Sequence, residues 1–266
     1  MASVLTESSA PATADELTPL VAAGLQAIPY RFGRFTYPVA PDLTALQAEL
    51  DLHRNVLVRL KREYAVLTEY DAHADTMSVR SGPARTDAVT GKDTAMRTKV
   101  MSTSAFMVDW EAGQRWAILV LRPGDLPAGL NRQRYLQAAA EFEKDARPES
   151  LRLVFDAALQ RWPDEPEAWA GRAAAELHAG DAMNAARDYA TALRIDGSNT
   201  EARHDLAMAL LYLGCTHKAQ SQIDKIIVQA LSSAERAVVE NSRDRIAARS
   251  QNLVAQEPPA CAEFSF

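Results

Sequence analysis

Residues 166–199, PEAWAGRAAAELHAGDAMNAARDYATALRIDGSN, decide the fold of this chain, because their pattern recurs on both sides at a spacing of 34 residues. Tyr135, Trp169 and Arg203 are in register, as are Ala146, Gly180 and Gly214; Leu151, Ala185 and Ala219; Phe155, Tyr189 and Ile223; and Ala158, Ala192 and Ile226. A fixed period of this length is the signature of stacked supersecondary units, none of which can bury its apolar face alone. Packing of helix pairs explains the residue types. An aromatic near the start of the first helix fills the gap to the second, Gly180 and Gly214 permit the tight turn between helices, and small residues such as Ala185 and Ala192 let helices approach closely. Pro163 ends one unit, and Gly197 stands at the same place in the next.

These residues resemble the tetratricopeptide repeat over residues 132–231, with the quoted unit the nearest match. The resemblance implies an all-α solenoid over 132–250, closed by a capping helix that Ser232 or Ser233 starts. It also implies a concave face lined by the first helix of each pair, here Leu136, Glu143, Lys144, Leu177, His178, His204, Met208, Leu211 and Tyr212. Members that grip a terminal carboxylate use Lys and Asn on this face. The corresponding positions here are Leu136, Ala140, Ala170, Ala174, His204 and Met208, which disfavours that mode.

The upstream half has another periodicity. Residues 1–16 are rich in Ser, Thr, Ala and Pro and read as a disordered lead-in. Over 17–128 the pattern is that of a small α+β domain with an antiparallel sheet. Asp42 caps a helix, and residues 56–60, 64–70, 77–80 and 116–121 read as short strands. Between them SGPARTDAVTGKDTAMRTKVMSTS, residues 81–104, reads as a long polar loop.

The strings AELDLHRNVLVRL, EYAVLTEYDAHADTMSVRSG and RWAILVLRPGDLP resemble the latter part of a bacterial papain-like cysteine peptidase of the bacteriocin-processing type. In that family the strand matching EYAVLTEYD begins with a general-base histidine, and here the position is Glu63. No cysteine precedes Cys215, and Arg80 and Ser81 stand where many members carry the orienting aspartate. The resemblance therefore implies a degenerate, shortened peptidase remnant without activity. Loss of its upstream helical half is expected to leave one sheet face needing cover from the repeats, a partner or a second copy.

Composition narrows the function classes. The net charge of -6 and the lack of basic runs exclude a phosphate-backbone footprint, so no nucleic acid is expected. The two cysteines, Cys215 and Cys261, cannot build a disulfide framework or a thiolate metal site, and point to a reducing compartment. With no leader-like start and no apolar run long enough to span a bilayer, the expectation is a cytoplasmic protein without membrane contact. His53 and His73 lack companion ligands, so no metal and no cofactor are expected. The tail over 251–266 reads as a flexible end or a docking peptide.

The leading expectation is a non-catalytic adaptor that binds a protein or peptide, alone or within a homodimer or heteromeric complex. A second is a leader- or substrate-peptide recognition component of a peptide-modifying or export complex. A third is an enzyme whose acid and base groups are Glu63, Asp71 and His73.

Overall fold

A computed structural model describes residues 34–81, 97–227, 231–251 and 257–264. The expected lead-in at 1–16 and most of the 81–104 loop lie outside the described residues. The chain divides into two compact units, Met1–Ser150 and Leu151–Phe266.

The first unit is built on a six-stranded antiparallel sheet of order β1-β6-β2-β3-β4-β5, with β1 (Phe35–Pro38), β2 (Val56–Leu60), β3 (Glu63–Asp71), β4 (Thr76–Ser81), β5 (Arg97–Ser102) and β6 (Ala117–Leu121). Four of these strands are where the alternating apolar residues place them. Strands β1 and β5 were not expected, and β5 replaces part of the expected loop. It pairs with β4 from Thr76↔Ser102 to Ser81↔Arg97 as an edge strand whose one buried residue is Met101, so it carries no apolar alternation to betray it.

Helix α1 (Leu43–Asp51) starts at Asp42, whose carboxylate accepts the Ala45 N–H at 2.8 Å, as expected. Helix α2 (Thr103–Ala112), also unexpected, starts on Ser102 and buries Phe106 and Trp110. Val56, Leu57 and Val58 are all fully buried; since successive residues of a strand face opposite ways, both faces of β2 are covered within the chain. This answers the expectation of a bare sheet face.

Helix α3 (Arg132–Glu143) belongs to the sheet unit rather than to the helical array. Tyr135 and Phe142 close on Phe35 with ring centroids 5.1 and 5.8 Å apart. The Tyr37 hydroxyl donates to Gly129 O and accepts the Asn131 N–H, both at 3.1 Å. Glu49 accepts the Ala128 N–H, and Arg54 donates to Leu126 O. The connecting segment and α3 are thus pinned to β1 and α1, within the unit that runs to Ser150.

The second unit, from Leu151 on, holds most of α4 (Pro148–Arg161) and then a run of helices packed on their sequence neighbours: α5 (Pro166–His178), α6 (Ala182–Ile195), α7 (Thr200–Tyr212), α8 (Thr216–Asp224) and α9 (Ser233–Gln251). Helix α5 also touches α7, the contact between first helices that a solenoid requires. Gly180 and Gly214 turn the hairpins at φ +85 and +81, the left-handed region that favours glycine. Gly171 lets the Phe155 ring lie where a Cβ would be. Tyr189, Leu206, Leu210, Ile223 and Ile246 form the core, with alanines at the close approaches.

Two expectations about the cysteines and the tail are corrected. Cys215 and Cys261 are joined by a disulfide, with Cα atoms 5.5 Å apart and a sequence separation of 46. Residues 257–264 are packed rather than loose: Pro259–Glu263 is a 3-10 helix, and Phe264 is buried. Arg187 pairs with Glu263 at 2.7 Å, Lys218 donates to Phe264 O, and Glu257 accepts the His217 N–H at 2.6 Å. A bonded pair removes the cysteine argument for a reducing compartment.

Candidate functional site

Helix α7 presents a cleft on each of two sides. By the 3.6-residue turn, Thr200, Glu201, His204 and Asp205 project from one side, and Arg203 and Leu206 from the other. The first cleft lies between α7 and α9, encloses about 390 Å³, and has a floor of Leu231, Val238 and Val239 under a rim of Glu201, Asp205 and Glu235. Val238 remains 55% exposed in it. Helix α9 is set at its start by Ser232, whose N–H and hydroxyl both donate to Glu235, holding that carboxyl below its ordinary range.

Beside this cleft a polar chain crosses three helices. Ser242 Oγ is 2.9 Å from His204 Nε2, His204 Nδ1 is 2.9 Å from Asp205 Oδ1, and the Tyr189 hydroxyl donates to Asp205 Oδ2 at 3.3 Å. The order is that of a hydrolytic triad, but the setting is not. Ser242 is only 4% exposed and sits inside α9, where neighbouring backbone N–H groups are spent on the helix and none is left for an oxyanion. The chain acts as a strut joining α6, α7 and α9.

The predicted groove residues do not form one uniform surface. Leu136, in the sheet unit, and Met208 are buried, so they serve packing. Leu177 and Leu211 are half-buried against the core. Glu143 is half-buried, Lys144 is exposed and paired to Glu141 at 2.7 Å, and His178 is exposed at the end of α5. Tyr212 is 62% exposed. Of these, only His204 lines the α7–α9 cleft. Sequence reading missed Val238 and Val239, which sit on the helix taken only as a cap.

The constellation of Glu63, Asp71 and His73 is not assembled. Glu63 opens β3 and Asp71 closes it, a separation of roughly 26 Å at the rise of a strand. Asp71 accepts the N–H groups of Ala74 and His73 in the β3–β4 turn, which hold its carboxyl below the usual range. Among the described residues no three His, Cys, Asp or Glu side chains group as metal ligands, and no helix is long and apolar enough to cross a membrane.

No family model and no curated protein matches this chain. Among solved structures it is similar to the TPR2B domain of yeast Sti1 in a pHsp70 complex, at 13% identity over 44% of this chain and 97% of that one, with a TM-score of 0.41. It is also similar to the first TPR of Spaghetti (RPAP3) bound to an HSP90 peptide, at 16% identity over 46% of this chain and 100% of that one, with a TM-score of 0.41. The Yersinia enterocolitica type III secretion translocator chaperone SycD is similar at 16% identity over 45% of this chain and 85% of that one, again with a TM-score of 0.41. At these scores the likeness carries no argument about ligands. The array of helix pairs stands on the chain's own period and packing.

Proposed function

We propose that this chain is a non-catalytic protein- or peptide-binding adaptor. The observation that supports this reading best is the α7–α9 cleft, an apolar floor ringed by carboxylates on rigid helices, which suits an apolar side chain flanked by a cation. The sheet unit, read as a degenerate peptidase-like domain of bacterial type, would add a second surface. Both cysteines belong to the helical unit and are bonded to each other, and Glu63 is exposed at the start of β3, which supports reading that unit as a pseudoenzyme. A cytoplasmic copy, as the sequence reading proposes, would hold Cys215 and Cys261 as thiols, whereas an oxidising compartment would keep the bond.

The test is a peptide array probed with the purified full-length chain and with Val238→Glu. Peptides with an apolar residue beside Lys or Arg should be retained by the native chain and lost with the variant. Retention of no such peptide, or equal retention by both proteins, removes this reading.

A further inference from the structure

The second cleft, between α6, α7 and α8, encloses about 410 Å³ and is lined by Arg194, Arg203 and Lys225 together with Leu193 and Leu206, and by no carboxylate. Four other arginines of this unit are held in ion pairs, Arg152 by Asp156, Arg172 by Asp156 and Asp188, Arg187 by Glu263, and Arg243 by Asp224. Among the described residues Arg194, Arg203 and Lys225 have no ion-pair partner, in a chain whose net charge is -6. Three unneutralised cations converging on one cleft of an acidic protein repel one another, and an anion would relieve that repulsion.

Helix ends account for part of this arrangement only. Arg194 lies in the last turn of α6 and Lys225 caps α8, where the helix dipole favours a cation. Arg203 lies in the first turn of α7, where the dipole opposes one. It also stands at the aromatic position of the 34-residue period. One unit earlier Trp169 donates from Nε1 to Pro163 O at 2.7 Å, and Arg203 donates from Nη2 to Gly197 O at 2.5 Å, the carbonyl 34 residues on. Arg203 thus makes the hydrogen bond that Trp169 makes one unit earlier, while also lining the cleft. Its Nη1 donates to Gln222 Oε1 at 3.2 Å, which aims the guanidinium without neutralising it.

We propose that the α6–α7–α8 cleft binds an acidic peptide segment of a partner, with carboxylates on Arg194, Arg203 and Lys225 and an apolar side chain on Leu193 and Leu206. The apolar floor and the volume select a peptide over a bare small anion. This site is separate from the α7–α9 cleft and is read separately.

The experiment is fluorescence anisotropy of the full-length chain with a labelled dodecapeptide of Glu, Leu and Ser, its Gln-for-Glu counterpart, and inorganic phosphate as competitor. The Glu peptide is expected to bind in low salt and to weaken as salt rises, the Gln peptide to bind at least roughly tenfold less well, and Arg194→Gln with Lys225→Gln to cost roughly tenfold. Both substituted residues are exposed, so the double variant keeps its fold. Val238→Glu should leave this binding unchanged, which separates the two sites. Equal binding of the two peptides, indifference to the double variant, or phosphate binding without peptide binding would each overturn the proposal.

Discussion

Arg172 holds Asp188 through two parallel hydrogen bonds, Nε to Oδ2 at 2.5 Å and Nη2 to Oδ1 at 2.9 Å, while its Nη1 reaches Asp156 Oδ1 at 3.1 Å. One guanidinium thus ties α4, α5 and α6 together, and its other face lies 4.6 Å from the Trp169 ring. Asp188 is buried, so deleting the arginine leaves a desolvated carboxylate without its counter-charge. Arg172→Ala is expected to cost about 2–3 kcal/mol in urea unfolding. Arg172→Lys should recover less than half of that, since an ammonium cannot form the fork. A fully restoring lysine would show that only the charge matters.

Glu176, also on α5, has the opposite electrostatic problem. Burial, reinforced by Asp188, pushes its carboxyl up to about 7, and its Oε2 is buried without a hydrogen bond. The unfolded group ionises near 4.5 while the folded group keeps its proton to about 7. The folded state therefore binds more protons across that window, and stability falls as pH rises through it. Glu176→Gln should add about 1 kcal/mol near pH 8, allowing for solvent screening of a half-exposed group, and nothing near pH 4. Thermal melts at the two pH values check this; an equal gain at both would tie the effect to packing.

The array was legible because its pattern is local: Gly180, Ala185 and Tyr189 recur 34 residues on as Gly214, Ala219 and Ile223, each keeping its size class. Tyr135 shows where that legibility ends. It fits the aromatic position of the period, yet its ring packs on Phe35 and Tyr37, and a period cannot say which of two neighbours claims a side chain. Strand β5 escaped because RTKVMS buries Met101 alone. Val238 escaped because α9 has no apolar stripe strong enough to mark one face. The disulfide escaped because it joins residues 46 apart through a tail too short to show periodicity.

That disulfide should contribute measurably to the helical unit. Closing a loop of 46 residues restricts the unfolded chain by about 4 kcal/mol on the entropic estimate. Cys215→Ser with Cys261→Ser, or reduction of the native chain, is expected to lower the urea midpoint of the helical unit while leaving that of the sheet unit in place. Unreduced peptide mapping should recover the cross-linked pair. A midpoint unchanged by reduction would place the holding power of residues 257–264 in Phe264 and the Arg187–Glu263 pair instead.

The position of α3 yields the last prediction. If residues 132–143 served the helical array, a fragment ending at 128 would fold as well as one ending at 150. Instead Tyr135 is fully buried, and its hydroxyl is held well above the usual range, first by burial and then by Asp125. Cutting at 128 removes Tyr135 and Phe142 from Phe35, and with Asn131 the amide that the Tyr37 hydroxyl accepts. Loss of one buried aromatic costs about 3–5 kcal/mol, which is comparable to the whole stability of a domain of this size. Fragment 1–150 should therefore melt cooperatively, fragment 1–128 should not, and Tyr135→Ala in the full chain should lower the transition of the sheet unit specifically. Circular dichroism of the two fragments decides it: equal cooperative melts would return α3 to the array and the boundary to 128–132.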